Sequence, residues 1–494
     1  MRKHGIFIIL IFLLSKSAAQ EHFTFSPEVK NIYEKTLSLR MTEAHNLIDQ
    51  SFSQDPNNLL LHLVEDYTDF FTVYINEDYE EFKSLVSNKD KRIKAVRKGP
   101  ESSPYLLYCE ADIRLHWALL HLRFEEYFSA FSEVNKAFKL LNKNRERFPD
   151  FMPNLKDLGI LHAAVGTIPD NYRKGVELLT SLEGSIDQGQ QEIEQVITYS
   201  QEHDFVFEAE TKVLYAFLLL HLGNEKDKAW EVITTGGLKP ESNPLHCFVL
   251  ANLAMRTGRN DEAIQLLEQR PQSRAFLPLP YLEFMLGLAK LRRLDEDTDQ
   301  FFLAYLNKTR GRHFIKEAWQ KIAWAHLLAG NEKGYQSNIL KCKTEGRASA
   351  GSDKNALKEA QSNQIPDIRL LRARLLFDGG YYQQAYDLLS NNRTKDFPDN
   401  YSKLEYTYRM GRILQGLKRN SDAIHFYQLT INAGKSEPWF FACNAALQTG
   451  MIYEDSGKKR AAIKAYKECL SINPDEYKTG LHQQAKAGLS RLGG

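Results

Sequence analysis

The chain has 494 residues, 43% hydrophobic and 26% charged, a composition that excludes an intrinsically disordered protein. One compact core rarely grows beyond roughly 250–300 residues, so either several domains or a solenoid is expected. The net charge of +1 gives no electrostatic footprint for nucleic acid, which is not expected as a partner.

Residues 1–19 have the pattern of a signal peptide. Arg2 and Lys3 form a cationic start, residues 5–14 are almost wholly apolar, and Ser17, Ala18 and Ala19 precede a cleavage position before Gln20. The apolar run is far shorter than the roughly 20 residues of a membrane span, and retention as an uncleaved anchor is the alternative. No cysteine follows the cleavage position to carry a lipid. Asp, Glu, Lys or Arg interrupts every later apolar stretch, so no span is expected in the mature chain. Cleavage would remove Arg2, Lys3 and Lys16 and leave a net charge of −2. From Ile365 onward 19 Lys and Arg stand against 13 Asp and Glu, which points mildly to an acidic partner for that part. Cys109, Cys247, Cys342, Cys443 and Cys469 show no metal-like spacing and read as small core residues.

A first helix is predicted over 27–38, and Ala44, Ile48 and Pro56 mark the helix that returns along it. A second, less regular pair follows over 59–86, and the basic run 89–98 is predicted as a solvated helix end or loop. Residues 106–141 read as two long amphipathic helices with Trp117, Phe124, Tyr127, Phe128 and Phe131 as a core stripe. Gly159, Gly166, Gly175, Gly184 and Gly189 predict close helix crossings with sharp turns. A phosphate-binding loop is excluded there, because no strand precedes it. From Phe205 paired helices return, turning at Gly223-Asn224, Gly258 and Gly330-Asn331. Residues 344–364 are rich in Gly, Ser and Ala and predict a boundary or a loosely packed helix.

The clearest pattern lies at 445–474. Gly450, Tyr453, Gly457, Ala462, Tyr466 and Pro474 stand at offsets 0, 3, 7, 12, 16 and 24. Ala251, Gly258 and Ala263 repeat offsets 0, 7 and 12, as do Ala373, Gly380 and Ala385, and Gly411, Ala423 and Tyr427 give 0, 12 and 16. Small residues let two antiparallel helices approach, tyrosines fill the flanks, and glycine makes the turn. This spacing resembles the tetratricopeptide repeat, a helix-turn-helix of about 34 residues. The resemblance runs from about residue 24 to 494 and is degenerate near the start. Ala446, Thr407 and Arg369 occupy the place where the family often has Trp.

The resemblance implies an all-α, right-handed α-solenoid. Residues 20–343 would form degenerate repeats, 344–365 a linker or loose helix, and 366–494 a regular array. Residues 477–492 would cap it, with Leu481, Ala485, Leu489 and Leu492 on one face. No HExxH, GxSxG, CxxC or EF-hand pattern occurs. Gly434-Lys435-Ser436 lacks the glycine that a P-loop needs at Leu429, and Pro438 interrupts the helix that should follow. His116 and His121, five apart, share a helical face poorly. No enzyme, cofactor or metal is therefore expected.

What the resemblance does imply is a concave groove lined by the first helix of each repeat. Carried onto this chain, its contact positions are Asp367, Arg374, Phe377 and Asp378; Glu405, Tyr408, Arg412 and Gln415; and Asn444, Met451, Glu454 and Asp455. Mixed charge with aromatic rings suits a protein or peptide partner. Asp367 and Glu405 stand where a carboxylate clamp for a chaperone tail would need cations, which disfavours that ligand. The expectation is a non-enzymatic, exported scaffold at the periplasmic side of a bacterial envelope. The alternative is a small-molecule or glycan-binding protein that stacks ligand on Tyr381, Tyr382, Trp439 and Phe440.

Overall fold

The computed structural model describes residues 20–166, 182–223 and 225–493. Expectations placed on residues 1–19, Gly175 and Asn224 lie outside them. Among the described residues, 24 α-helices follow one another, and the one extended pairing is an isolated bridge between His22 and Asn58. The fold is an all-α solenoid of helical hairpins.

The first stretch holds α1 (Pro27–Leu37), α2 (Met41–Gln54), α3 (Leu60–Asn76), α4 (Tyr79–Val96), α5 (Tyr105–Arg123), α6 (Tyr127–Arg147) and α7 (Met152–Gly166). Next come α8 (Ile186–Glu202) and α9 (Glu208–Leu218), the latter ending in a π turn over Leu219–Gly223. The middle contains α10 (Lys226–Thr234), α11 (Pro244–Arg256), α12 (Asn260–Glu268), α13 (Tyr281–Arg293), α14 (Asp299–Lys308), α15 (Ile315–Leu328), α16 (Glu332–Thr344) and α17 (Gly351–Ser362). The last seven are α18 (Ile368–Asp378), α19 (Tyr382–Leu389), α20 (Asn400–Gly416), α21 (Asn420–Gly434), α22 (Phe441–Asp455), α23 (Lys459–Ser471) and α24 (Lys478–Arg491).

Helix starts follow from local chemistry. Asp78, Asn243 and Asp399 each accept a backbone N–H at the N-terminus of α4, α11 and α20, and Pro244 opens α11 where its missing N–H costs nothing. Turns of the repeating hairpins fall on Gly258, Gly330, Gly380 and Gly457, at φ of +80°, +76°, +86° and +69°. Side chains with a Cβ are strained in that conformation, so glycine fixes where the chain reverses.

The hairpins α20–α21 and α22–α23 are each locked by a tyrosine set against a glycine. A Cβ at Gly450 would lie 2.5 Å from the Tyr466 ring, and one at Gly411 would lie 2.6 Å from the Tyr427 ring. Tyr466 is gripped from its other side by Gly488 of α24, where a Cβ would lie 2.4 Å away. Both tyrosines are fully buried. Each contributes roughly 1.5–3 kcal/mol through burial of its ring. The glycine-rich region behaves in the same way: a Cβ on Gly189 would meet the Gly159 carbonyl at 2.2 Å, so α7 and α8 cross backbone to backbone. The five cysteines are buried thiols, with Cys443 and Cys469 Sγ 3.6 Å apart.

The polar segment after α16 forms α17, whose Ala356 and Ala360 pack in one core with Trp324, Leu327 and Tyr335. Its Asp353 carboxylate accepts the backbone N–H of Phe314 at 2.7 Å and of Glu317 at 3.0 Å, capping the start of α15.

Two expectations are corrected in the N-terminal part. Residues 89–96 are the last turns of α4, and Arg92 is buried rather than solvated, at 4% exposure. Its guanidinium pairs with Glu65, Asp66 and Asp69 at 3.0, 3.2 and 2.7 Å. A lone buried cation would be very costly, and three carboxylates from α3 remove that cost. Burial alone would raise Glu65, but His62 and Arg92 outweigh it and hold its pKa at about 2. The stripe on α6 is also corrected. Trp117 and Phe124 are core, whereas Tyr127, Phe128 and Phe131 face outward, Phe128 at 88% exposure. Ala130, Ala137, Phe138 and Leu141 define the inward face of α6 and leave those three rings on the outside.

Segments remote in sequence also meet. Glu77 ends α3 and accepts the backbone N–H of Arg312 and of His313 at 3.2 Å and the His313 imidazole at 2.7 Å, while also pairing with Arg123. The turn glycines Gly258 and Gly380 touch, and α18 packs on α13.

Two outcomes follow from this packing. Gly450→Ala should lower unfolding free energy by roughly 1–3 kcal/mol in urea titration. That loss should shrink in a Tyr466→Leu background, which removes the ring the methyl strikes. Glu77→Ala should cost roughly 3 kcal/mol, because it leaves His313, Arg123 and two buried N–H groups without their acceptor.

Candidate functional site

A cleft of about 380 Å³ opens where α18, α20 and α22 line up and α24 closes one end. Six of the residues expected in the groove line it together: Arg374, Phe377, Asp378, Tyr408, Arg412 and Asn444. These positions come from the first helices of three consecutive hairpins. Their spacing of about one turn along each helix turns the side chains to one side of the sheet of helices.

The floor is an ordered polar chain. The Tyr408 oxygen accepts from Arg412 Nη1 at 3.1 Å and from Asn444 Nδ2 at 2.7 Å. With both donors on its oxygen, the phenolic hydrogen has no acceptor among the described residues. The Arg412 guanidinium lies over the Phe377 ring at 4.8 Å, and its Nε is buried without a hydrogen-bond partner. Arg374 stacks on Trp324 at 4.9 Å and reaches Asp378 only at 4.0 Å. Burial opposes the charge on both arginines, and nearby groups, Asp378 among them, outweigh it and raise both pKa values. Phe440 and Tyr477, 4.9 Å apart, make the aromatic wall. The cleft therefore offers several fixed donors, one exposed carboxylate and an apolar side.

Two segments match family models for the tetratricopeptide repeat, residues 247–271 and 445–476. The chain carries tetratricopeptide repeats. No curated protein matches it. Among solved structures, the human IFIT1 dimer with m7Gppp-AAAA is similar at 14% identity, covering 96% of this chain and 90% of that one with a TM-score of 0.36. The APC/C hetero-tetramer Cut9-Hcn1 is similar at 11% identity, covering 93% and 96%, with a TM-score of 0.25. Neither likeness bears on function, and the fold is described from the chain's own helices.

The other six groove positions of the repeats do not reach the cleft. Asp367 caps α18 through the N–H groups of Arg369 and Leu370 and pairs with Arg369 at 2.7 Å. Glu405 pairs with Arg409 at 2.9 Å. Gln415 accepts the Tyr427 hydroxyl at 2.5 Å, and Met451 packs on the C-terminal core. Glu454 joins the Tyr466 hydroxyl to Arg491 of α24, at 2.8 and 2.9 Å from the arginine, and Asp455 is exposed beside it. Structural roles inside the hairpins have claimed all of these side chains except Asp455.

Conversely, Arg409, Gly480, Leu481 and Gln484 line the cleft without having been expected there. Three of them belong to α24, whose sequence marks it as a cap but does not say which face of the array it covers. Of the aromatics weighed for glycan stacking, Phe440 alone reaches the cleft. Tyr381 donates to Asp261 at 2.7 Å, Tyr382 packs on Gly416, and Trp439 packs on Tyr401. The four share no open face.

A second cluster of titratable groups is buried in the N-terminal repeats. Lys156, 1% exposed, pairs with Asp157 at 3.0 Å and Glu210 at 2.5 Å, and Tyr33 and Tyr67 donate to Glu210 at 2.7 and 3.1 Å. Burial, with Asp112 and Glu210 nearby, pushes the Asp157 carboxyl up to about 7 despite Lys156, and one Asp157 oxygen has no partner. Asp112, Asp157 and Glu210 line neither the C-terminal cleft nor the cavity beside His162.

The raised Asp157 value sets the sign of a pH effect. Between an unfolded value of about 4 and a folded value of about 7 the native state binds the extra proton. Its contribution to stability is therefore fullest below about 4 and is lost as pH rises through 7. Urea unfolding at pH 5 and pH 8 should show a fall in stability between them that Asp157→Asn reduces.

Proposed function

We propose that the chain is a non-enzymatic protein-binding scaffold of a bacterial cell envelope, exported by its N-terminal segment, whose C-terminal array holds a partner protein or peptide in its cleft. One observation carries this: the first helices of three hairpins bring Arg374, Asp378, Arg412 and Asn444 into one open cleft beside the aromatic wall of Phe440 and Tyr477. Charged and hydrogen-bonding groups fix a partner's register, and aromatic rings supply contact area. Tetratricopeptide repeats generally mediate protein–protein interaction, which favours a protein as that ligand.

The proposal also accounts for how the array is built. Side chains that hold hairpins together, such as Tyr466 with Glu454, point within or between repeats, while those of α18, α20 and α22 at the cleft are held in place by one another. Such preorganisation lowers the entropy cost of binding. Export rests on residues 1–19 alone.

The test is site-specific photo-cross-linking in the native envelope. A benzophenone side chain at position 444, in the cleft, should give one discrete protein adduct, and one at exposed Lys464 of α23 should give none. Equal adducts from both positions, or none from position 444, would overturn the proposal. Cell fractionation should place the chain with the envelope fraction, and recovery from the cytosol would refute export.

A further inference from the structure

The cleft is one end of a longer band of unpaired cations. Arg292 of α13 lies beside α18, its Cβ 3.2 Å from where a side chain at Gly379 would begin, and its Nη1 is turned to the Met255 carbonyl. Arg256 follows at the end of α11 and bonds only Asn252 among its described partners. On the other side Lys226 opens α10 and Lys418 stands between α20 and α21. Of the cleft arginines, Arg409 is paired with Glu405 at 2.9 Å, and the one other ion pair that these cations make among the described residues is the long Arg374–Asp378 contact at 4.0 Å.

Arg292 is placed beside the cleft by its contact at Gly379, the residue after Asp378, and the charges of Lys226 and Arg412 act on each other. Burial, then the Arg412 charge, pulls the Lys226 ammonium below its ordinary value, with Lys418 adding to the effect. Burial, with Arg256 reinforcing it and Asp378 opposing, does the same to Arg292. Lys226 is nevertheless solvent-exposed. Asp378 and Asp455 stand on this surface without a close ion pair, whereas Glu317, Glu405 and Asp227 are engaged by Lys321, Arg409 and Arg259 at 3.5, 2.9 and 3.2 Å.

We propose, resting on the scaffold function above, that this band recognises an extended, carboxylate-rich segment of the partner protein, with successive acidic side chains meeting Lys226, Arg412 and Arg292. Arginines with free N–H groups suit planar carboxylates, and opposite potentials on the two partners set register and encounter rate. A nucleic acid fits less well. Asp378 and Asp455 would face its continuous phosphate charge. The near-neutral charge of the whole chain points the same way.

The experiment is fluorescence anisotropy on the full-length chain. The probes are a labelled peptide of about 15 residues alternating glutamate with leucine, its glutamine counterpart, and an oligo-dA of similar length. The glutamate peptide should bind, lose at least tenfold in affinity with Arg412→Glu or Lys226→Glu, and weaken as salt rises from about 50 to 300 mM. Arg412→Lys should retain part of the binding, which separates charge from fold, and circular dichroism should show each variant folded. Equal binding of the glutamine peptide, no binding of the glutamate peptide, or indifference to Arg412→Glu would overturn the acidic-segment proposal. A position-444 cross-link obtained beside such a result would leave the scaffold function standing. Binding of oligo-dA with no binding of the glutamate peptide would assign the band to nucleic acid and overturn the acidic segment.

Discussion

The structure depends on how closely two helix backbones can approach. A tyrosine lies flat on a glycine at Gly411–Tyr427 and at Gly450–Tyr466, and the second ring is gripped again by Gly488. A methyl group in place of hydrogen at any of these glycines would strike the ring. With the helices drawn together, the ring fills the gap at their flank, and close packing is satisfied without a large central core. The cleft inherits its shape from this arrangement. The interval between α18, α20 and α22 is set by the hairpins behind them, and the donors on Arg412 and Asn444 can meet on one tyrosine oxygen only at that interval.

Much of this was legible in the sequence because a repeat writes its neighbour contacts as a period. The offsets from Gly450 to Tyr466 describe a packing unit, and they recur wherever that unit recurs. The groove positions that the tetratricopeptide resemblance implies, laid on that period, placed Arg374, Phe377, Asp378, Tyr408, Arg412 and Asn444 on one side of α18, α20 and α22. It could not say which polar residues on that side the repeats would keep for themselves. Glu454, Gln415 and Asp367 occupy groove positions by count but are bound to Arg491, Tyr427 and Arg369. The cap, α24, was legible as a helix and not as a cleft wall, since its docking face depends on Tyr466 gripped by Gly488.

Where the repeats are degenerate, the physics differs and the pattern misleads. Composition made 89–96 look like a solvated basic run, yet Arg92 is buried because Glu65, Asp66 and Asp69 sit one helix away. Such a pairing leaves no local trace, because the partner residues lie more than 20 positions upstream. Tyr127, Phe128 and Phe131 matched a core stripe by residue type, but the alanines of α6 set its inward face. Contacts between distant turns, such as Glu77 with His313, are likewise invisible to any period, which encodes the neighbour in the array and nothing beyond it.

One such distant contact gives the molecule a mechanical character. At Gly380 a Cβ would lie 2.1 Å from the carbonyl oxygen of Gly258, so two hairpin turns rest on each other through bare backbone. Side chains can change rotamer under load, but a peptide group pressed on a peptide group has nothing to yield. Tyr381 and its hydrogen bonds to Asn260 and Asp261 brace the same point against sliding. Viewed as a spring, the solenoid is stiff to compression there, as it is where Gly189 meets the Gly159 carbonyl.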